Sequence, residues 1–247
     1  MIDSTNHRYL ALILAVTIFT AGMVASTFKI ANSIEEVKGS NNITVTGSAK
    51  QQIKSDLIVW QGTYSRQAKT AAEAYTLLAQ DKIKVLKYLD DKKMDSKVRT
   101  VSSVYTMPIY ETNFNGVTTN NILSYRLSQN VEIRSNAVDE VTQISRDVTE
   151  LIQQGIEFQS NPPEYYFTKI ADLKVTMLAE ATKDAKLRAE QISSNTGSKI
   201  GKLKSAKMGV FQITPLYSTD VSDSGINDIS SIDKEITAVV TCSFLTK

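Results

Sequence analysis

KVRTVSSVYTMPIY, from Lys97 to Tyr110, and ILSYRLSQNVEIR, from Ile122 to Arg134, are two long runs in which apolar and polar side chains alternate. A period of two is the signature of a strand with one covered and one wet face. Between them, Glu111 to Asn121 reads ETNFNGVTTNN, and its Asn115-Gly116 pair suits the positive φ of a hairpin turn. A long antiparallel hairpin is therefore expected.

Outward from the hairpin the chain alternates strand and helix. Ile43 to Gly47 and Asp56 to Ser65 are rich in β-branched and aromatic residues and read as strands. From Arg66 to Asp90, Ala71, Tyr75, Leu78, Ala79, Ile83, Leu86 and Leu89 recur at helical spacing. A second helix is read over Ala137 to Gln153, with Val138, Val141, Ile144, Val148, Leu151 and Ile152 inward and Gly155 just past its end. A short strand from Ile156 runs into Pro162-Pro163, which no central strand interior accommodates.

The third helix is the longest, Lys169 to Thr196, with Ile170, Leu173, Met177, Ala181, Ala185, Ala189 and Ile192 on one stripe. Gly197 closes it with a positive φ. A strand follows from Lys199 to about Ile213, then a Ser/Asp-rich loop and a closing strand, Lys234 to Leu245. In that last strand Ile236, Ala238, Val240, Cys242 and Phe244 alternate with polar residues, so Cys242 is expected in the core. The order β-β-α-β-β-α-β-α-β-β with long hairpins predicts an α+β fold, largely antiparallel, with three amphipathic helices.

At the other end, no charge falls between Arg8 and Lys29. A helix over residues 9–28 rises about 1.5 Å per residue, enough for a hydrocarbon core of roughly 30 Å. Two readings stay open: an N-terminal membrane anchor, or a signal segment cleaved near Val24-Ala25-Ser26. Residues 1–28 are thus read as one anchor or signal helix, 29–42 as a polar linker, and 43–247 as a single domain. The 28 basic and 26 acidic residues leave an excess of two, read as spread along the chain, which argues against nucleic acid as a partner. One cysteine excludes an intrachain disulfide.

The Ile43-Thr44-Val45-Thr46-Gly47-Ser48-Ala49 strand and the strand after Ser55-Asp56 resemble the opening of the SIMPL-domain family, V-T-G-x-G/A followed by a strand that begins on Asp. Ala181 to Ile192, then Gly197 and Ile200-Gly201-Lys202-Leu203, are similar to that family's A-x-x-D-A-x-x-x-A-E-x-L…G…L-G-K-V signature. Ile192-Ser193-Ser194 departs from the Ala-rich helix end usual there. The resemblance spans residues 41 to 247. It implies a bacterial envelope protein, periplasmic, secreted or anchored, with ring-like oligomers among its relatives and a loose link to oxidative-stress defence. It brings no catalytic residues.

Inventory agrees. His7 is the sole histidine and precedes the apolar segment, so the domain is expected to hold no His-based triad, Cys-His pair or His-ligated zinc. Asp90, Asp91, Glu180 and Asp184 read as solvated charge on helices. Asp220, Asp223, Asp228 and Asp233, among Ser222, Ser224, Gly225 and Asn227, form the one oxygen-rich cluster to consider for a hard cation; the spacing fits no EF-hand, and a wet loop over 220–233 is expected. Lys199, Lys202, Lys204 and Lys207 crowd one strand, where they would protect an edge or touch anionic lipid. Tyr64, Tyr105, Tyr110, Tyr125, Tyr165 and Tyr166 suit aromatic strand packing or a subunit interface.

No catalytic, cofactor or metal residue is therefore assigned. The expected function is non-catalytic: self-assembly as a homo-oligomer in the envelope. The alternatives are a monomeric adaptor that binds an envelope protein partner through loops around Phe114 and Tyr217, and an enzyme using buried carboxylates.

Overall fold

A computed structural model describes residues 16–30 and 42–246. The fold is α+β with mostly antiparallel sheet, as expected. Helix α1 covers the described residues 16–30, where Val16, Phe19, Met23, Val24 and Phe28 are all exposed. Residues 9–15 of the predicted anchor and most of the predicted linker lie outside the described residues. Among the described residues no helix is long and apolar enough to cross a membrane.

The remaining elements are β1 (Asn42–Lys54), β2 (Leu57–Ala68), α2 (Ala71–Asp91), a 3-10 turn (Ser96–Val98), β3 (Arg99–Val101), β4 (Tyr105–Thr112), β5 (Thr118–Ser135), α3 (Val138–Asp147), α4 (Glu150–Gln153), β6 (Glu157–Ser160), β7 (Glu164–Tyr166), α5 (Ile170–Asn195), β8 (Ile200–Met208), β9 (Gln212–Pro215), β10 (Ile226–Asn227) and β11 (Asp233–Thr246). Contacts group them into two compact units. One takes Met1–Gly47, Thr182–Met208 and Val240–Lys247; the other takes Ser48–Ala181 and Gly209–Val239.

The larger unit is built on a six-stranded antiparallel sheet in the order β3-β5-β2-β6, with β4 also on β5 and β7 also on β2. The β2–β5 ladder runs from Ile58↔Ser135 to Ala68↔Tyr125. Alternation puts Ile58, Trp60, Gly62 and Tyr64 on the same buried face as Ile133, Val131, Gln129 and Leu127. Helices α2 and α3 pack against these two strands. Trp60 stacks on Phe158 with centroids 6.3 Å apart, and its indole N–H donates to Ser160 Oγ at 3.0 Å. Strands β9, β10 and the first part of β11 also belong to this unit; β9 is antiparallel to β11 and β10 parallel to β9.

In the smaller unit, β8 lies antiparallel along the end of β11, from Val240↔Met208 to Thr246↔Ile200, with irregularities after Ser243 and Phe244. Thr44 and Thr46 of β1 meet Ser243 and Thr241 of β11 through hydroxyl contacts of 3.1 Å. Cys242 is buried, as expected, and burial pushes its thiol up.

Several predicted elements divide. The run from Lys97 becomes a 3-10 turn, β3 and β4, because four steps from Val101 to Tyr105 face three from Val131 to Ser128. The extra residue makes a bulge; Gln129 Nε2 donates to the Ser102 carbonyl at 2.7 Å. The second helix breaks at Val148-Thr149, where Thr149 Oγ1 bonds the Arg146 carbonyl. The strand expected from Lys199 to Ile213 ends at Met208 and resumes at Gln212, with the Gly209 amide turned to Val239 O at 2.8 Å. Helical stripes shift too. On α2 the buried set is Ala74, Leu78, Asp81, Val85, Tyr88 and Leu89, while Tyr75 and Ile83 face solvent. Ile152 is exposed; on α5 Ile192 is exposed and Ser193 buried.

Gly62 tests the core. A Cβ there would stand 2.3 Å from the Phe158 ring and 3.1 Å from Trp60. Gly62→Ala is expected to lower the unfolding free energy by about 1–3 kcal/mol through overpacking, read in chemical denaturation; an unchanged midpoint would show that the Trp60–Phe158 stack yields freely.

Candidate functional site

β5 has 18 residues and β2 has 12. The β2 ladder ends at Tyr125, and Gln67 Nε2 of β2 still donates to Ser124 Oγ at 2.8 Å; among the described residues no strand pairs with the backbone of Thr118–Ser124 on that side, and beyond Tyr125 only β4 pairs with β5. The two strands therefore leave the sheet as a ribbon. Its turn forms as the sequence predicts: Gly116 takes φ 76°, and Asn113 Oδ1 accepts from the amides of Asn115 and Val117 at 3.0 Å each. Along the ribbon Tyr105, Met107, Tyr110, Val117, Ile122 and Leu123 are exposed, and Phe114 at the tip reaches 111 % exposure. Exposed apolar side chains gathered on one element mark an interaction site. The two edges differ. Pro108 lies on β4 opposite Tyr125 and has no N–H to offer a further strand, whereas Thr118–Ser124 contains no proline.

Two buried polar centres lie elsewhere in the same unit, and the sequence reading missed both. Asp81 on α2 is 1 % exposed, and Arg66 at the end of β2 grips it with Nε and Nη2, the latter at 2.9 Å. Arg66 also donates to Gly155 O at 2.7 Å. Nearby, burial and then the Asp81 charge push the Tyr64 phenol up; its hydroxyl donates to Gln129 Oε1 at 2.6 Å. Lys234, at the start of β11, is 2 % exposed. Its ammonium donates to Tyr165 O at 2.7 Å and to Asp228 O. Burial lowers its pKa, and the Asp228 charge opposes that.

A cavity of about 140 Å³ adjoins Lys234, lined also by Ile53, Tyr165, Phe167 and Asp228. Asp228 Oδ2 is buried without a partner, while Oδ1 accepts from Ser230 N at 2.9 Å and Ser230 Oγ at 2.6 Å. Burial pushes the Asp228 carboxyl up, but the bonds from Ser230 and Ser231 and the Lys234 charge outweigh it and hold the pKa below its ordinary value. Lysine and carboxylate both fasten backbone here, so the arrangement clasps the 228–230 segment to β7. A signal for each existed. Lys234 is in phase with Ile236, Ala238 and Val240, and Asp81 with Leu78 and Val85.

The remaining candidates separate. Asp90 is exposed and pairs with Arg99; Asp91 and Glu180 are exposed. Asp184 pairs with Arg188 at 2.8 Å. Asp220, Asp223, Asp228 and Asp233 are not brought together: among the described residues no group of three or more potential ligands could hold a metal. Tyr64 and Tyr165 are buried, whereas Tyr105 and Tyr110 are exposed. Lys202, Lys204 and Lys207 lie exposed along β8. His7 lies outside the described residues.

Removing Asp81 alone strands a half-buried guanidinium, so Asp81→Ala is expected to cost about 3–5 kcal/mol. Arg66→Met with Asp81→Leu should cost less than that single change, measured in a double-mutant cycle; strictly additive costs would deny the pairing. Lys234→Met leaves the Tyr165 and Asp228 carbonyls without a donor, an expected loss of about 1–3 kcal/mol each at neutral pH. Since the folded Lys234 pKa lies below its ordinary 10.5, the unfolded chain binds more protons between the two values and stability rises with pH across that window. In Lys234→Met that rise should vanish; an unaltered pH slope would contradict the assignment.

No curated protein matches the chain. The model of the family described as "SIMPL: Protein of unknown function (DUF541)" matches residues 43–244, from the Ile43 strand to Phe244 near the end of β11. On that match, the chain belongs to the SIMPL family.

Proposed function

We propose that this SIMPL-family chain works by protein association without catalysis, assembling with copies of itself through the β4–β5 ribbon. The observation that supports this most is the ribbon's exposed apolar surface beside an unpaired strand edge. A two-stranded ribbon is marginally stable alone in water, and a second copy would cover Tyr105, Met107, Tyr110, Ile122 and Leu123 while pairing with Thr118–Ser124. Contact through one patch on each copy gives a closed dimer; a head-to-tail contact gives a ring or fibre.

The place of action we assign is the cell envelope, with residues 9–28 as an anchor in the cytoplasmic membrane facing the periplasm, or as a signal removed on release. A role in stress defence follows only from the family resemblance. The adaptor reading has its own observation: Phe114 and Tyr217 are the most exposed aromatics among the described residues. In that reading an envelope protein replaces the second copy on the same loops.

Light scattering on the purified protein should show an assembly at micromolar concentration. Tyr110→Lys combined with Leu123→Lys, both on exposed positions, should shift it toward monomer by at least about tenfold in dissociation constant, since each removes an apolar contact worth about 1.5–3 kcal/mol. A monomer at every concentration would refute self-assembly, and an assembly indifferent to the substitutions would move the contact off the ribbon.

A further inference from the structure

Asn-Gly occurs once in the chain, at Asn115-Gly116, and every other asparagine is followed by a residue that carries a side chain. The fold puts this pair in the turn at the tip of the β4–β5 ribbon. Both residues are exposed, and the Asn115 side chain has no hydrogen-bond partner among the described residues. A Cβ built on Gly116 would meet nothing within 4 Å, so the space beside its backbone is open.

Other asparagines are held. Asn113 Oδ1 accepts from the amides of Asn115 and Val117 at 3.0 Å each, and bulky Phe114 follows it. Asn130 Oδ1 accepts from Thr63 Oγ1 at 2.9 Å, and Asn136 Nδ2 donates to the Asp56 carbonyl at 2.6 Å. Asn161 precedes Pro162, whose nitrogen carries no hydrogen.

We propose that Asn115 is a site of spontaneous deamidation, which gives the ribbon tip a carboxylate without an enzyme. Hydroxide takes the proton from the Gly116 amide, and the nitrogen attacks Asn115 Cγ. An N–Cγ bond forms, the Cγ–Nδ2 bond breaks, and Nδ2 takes a proton from water and leaves as ammonia. The five-membered succinimide that remains is opened by water at either carbonyl, giving aspartate or isoaspartate. Overall one water enters and one ammonia departs, with no change of oxidation state.

The step needs the Asn115 side chain and the Gly116 nitrogen to meet, a matter of positioning. Gly116 has no Cβ to hinder the approach, and the Asn115 side chain gives up no bond to make it. The Gly116 N–H is held by the Asn113 carbonyl at 2.9 Å, so the turn must open first. At the end of a ribbon two strands wide, local opening needs little free energy. Either product places a negative charge beside Phe114. Isoaspartate also lengthens the backbone between Asn113 and Val117, whose amide–carbonyl bond of 2.9 Å closes the turn. Deamidation therefore charges and loosens the tip, whatever the ribbon meets.

The test incubates the full-length protein at neutral to mildly alkaline pH in water enriched in the heavy oxygen isotope and maps its peptides by mass spectrometry. Asn115 should convert faster than every other asparagine, gain one labelled oxygen per event, and become a substrate for an isoaspartyl methyltransferase. Its rate should rise in proportion to hydroxide. Asn115→Gln, which would need a six-membered ring, should lose the conversion. Asn113→Ala removes the two side-chain bonds that brace the turn and should speed conversion in the folded protein, a gain that should disappear in denaturant. An Asn115 that stays intact or reacts more slowly than another asparagine overturns the proposal, as does conversion without the label. So does an Asn113→Ala protein that reacts no faster than the wild type, because opening of the tip would then not govern the step.

Discussion

Much of this structure follows from one mismatch: β5 outruns its partner β2. Over Ile58 to Ala68 the two strands exchange backbone bonds and share one apolar face, and that ladder fixes the register for α2, α3 and the Trp60–Phe158 stack. Past Tyr125 no strand among the described residues continues it on that side. At about 3.3 Å per residue the overhang Thr118–Ser124 reaches roughly 20 Å beyond the sheet. A strand edge with exposed apolar side chains is costly in water unless something covers it, so the rigid half of the hairpin supplies stability and the overhang supplies a surface.

Charge in the larger unit serves the scaffold. Arg66 and Asp81 tie the end of β2 to the inward face of α2, and Arg66 reaches on to Gly155 after the second helical stretch. Lys234 ties β7 to the segment at Asp228. Each basic side chain thereby joins two parts of the chain that are remote in sequence, and each leaves its unit with a polar group that only the native arrangement satisfies. Such groups contribute more to uniqueness of fold than to net stability.

The fold was readable where local pattern and tertiary environment agree. The hairpin strands, the closing strand and the inward set of α3 followed from period, and the turn from its Asn115-Gly116 pair. Reading failed where a polar residue occupies a core position. Asp81 broke the apolar count on α2, so the stripe was assigned one position off and Tyr75 and Ile83 were placed inward; Lys234 was taken as a strand's polar start although its phase points inside. Bulges also escaped, because the residue added between Val101 and Tyr105 shows itself only against the register of β5. As for the site, the long hairpin and its turn were legible, while the extent of its free edge depends on where β2 stops. The basic excess was read as spread along the chain, although the contiguous run Thr182–Met208 alone carries seven basic and two acidic residues.

Backbone amide hydrogen exchange along β5, followed across a dilution series, tests the central claim most directly. If copies pair on the overhang, the amides of Thr118–Ser124 slow at high protein concentration and quicken on dilution, while those of Arg126–Ile133 stay protected throughout. Fast exchange over Thr118–Ser124 at every concentration would mean that the open edge binds no second copy.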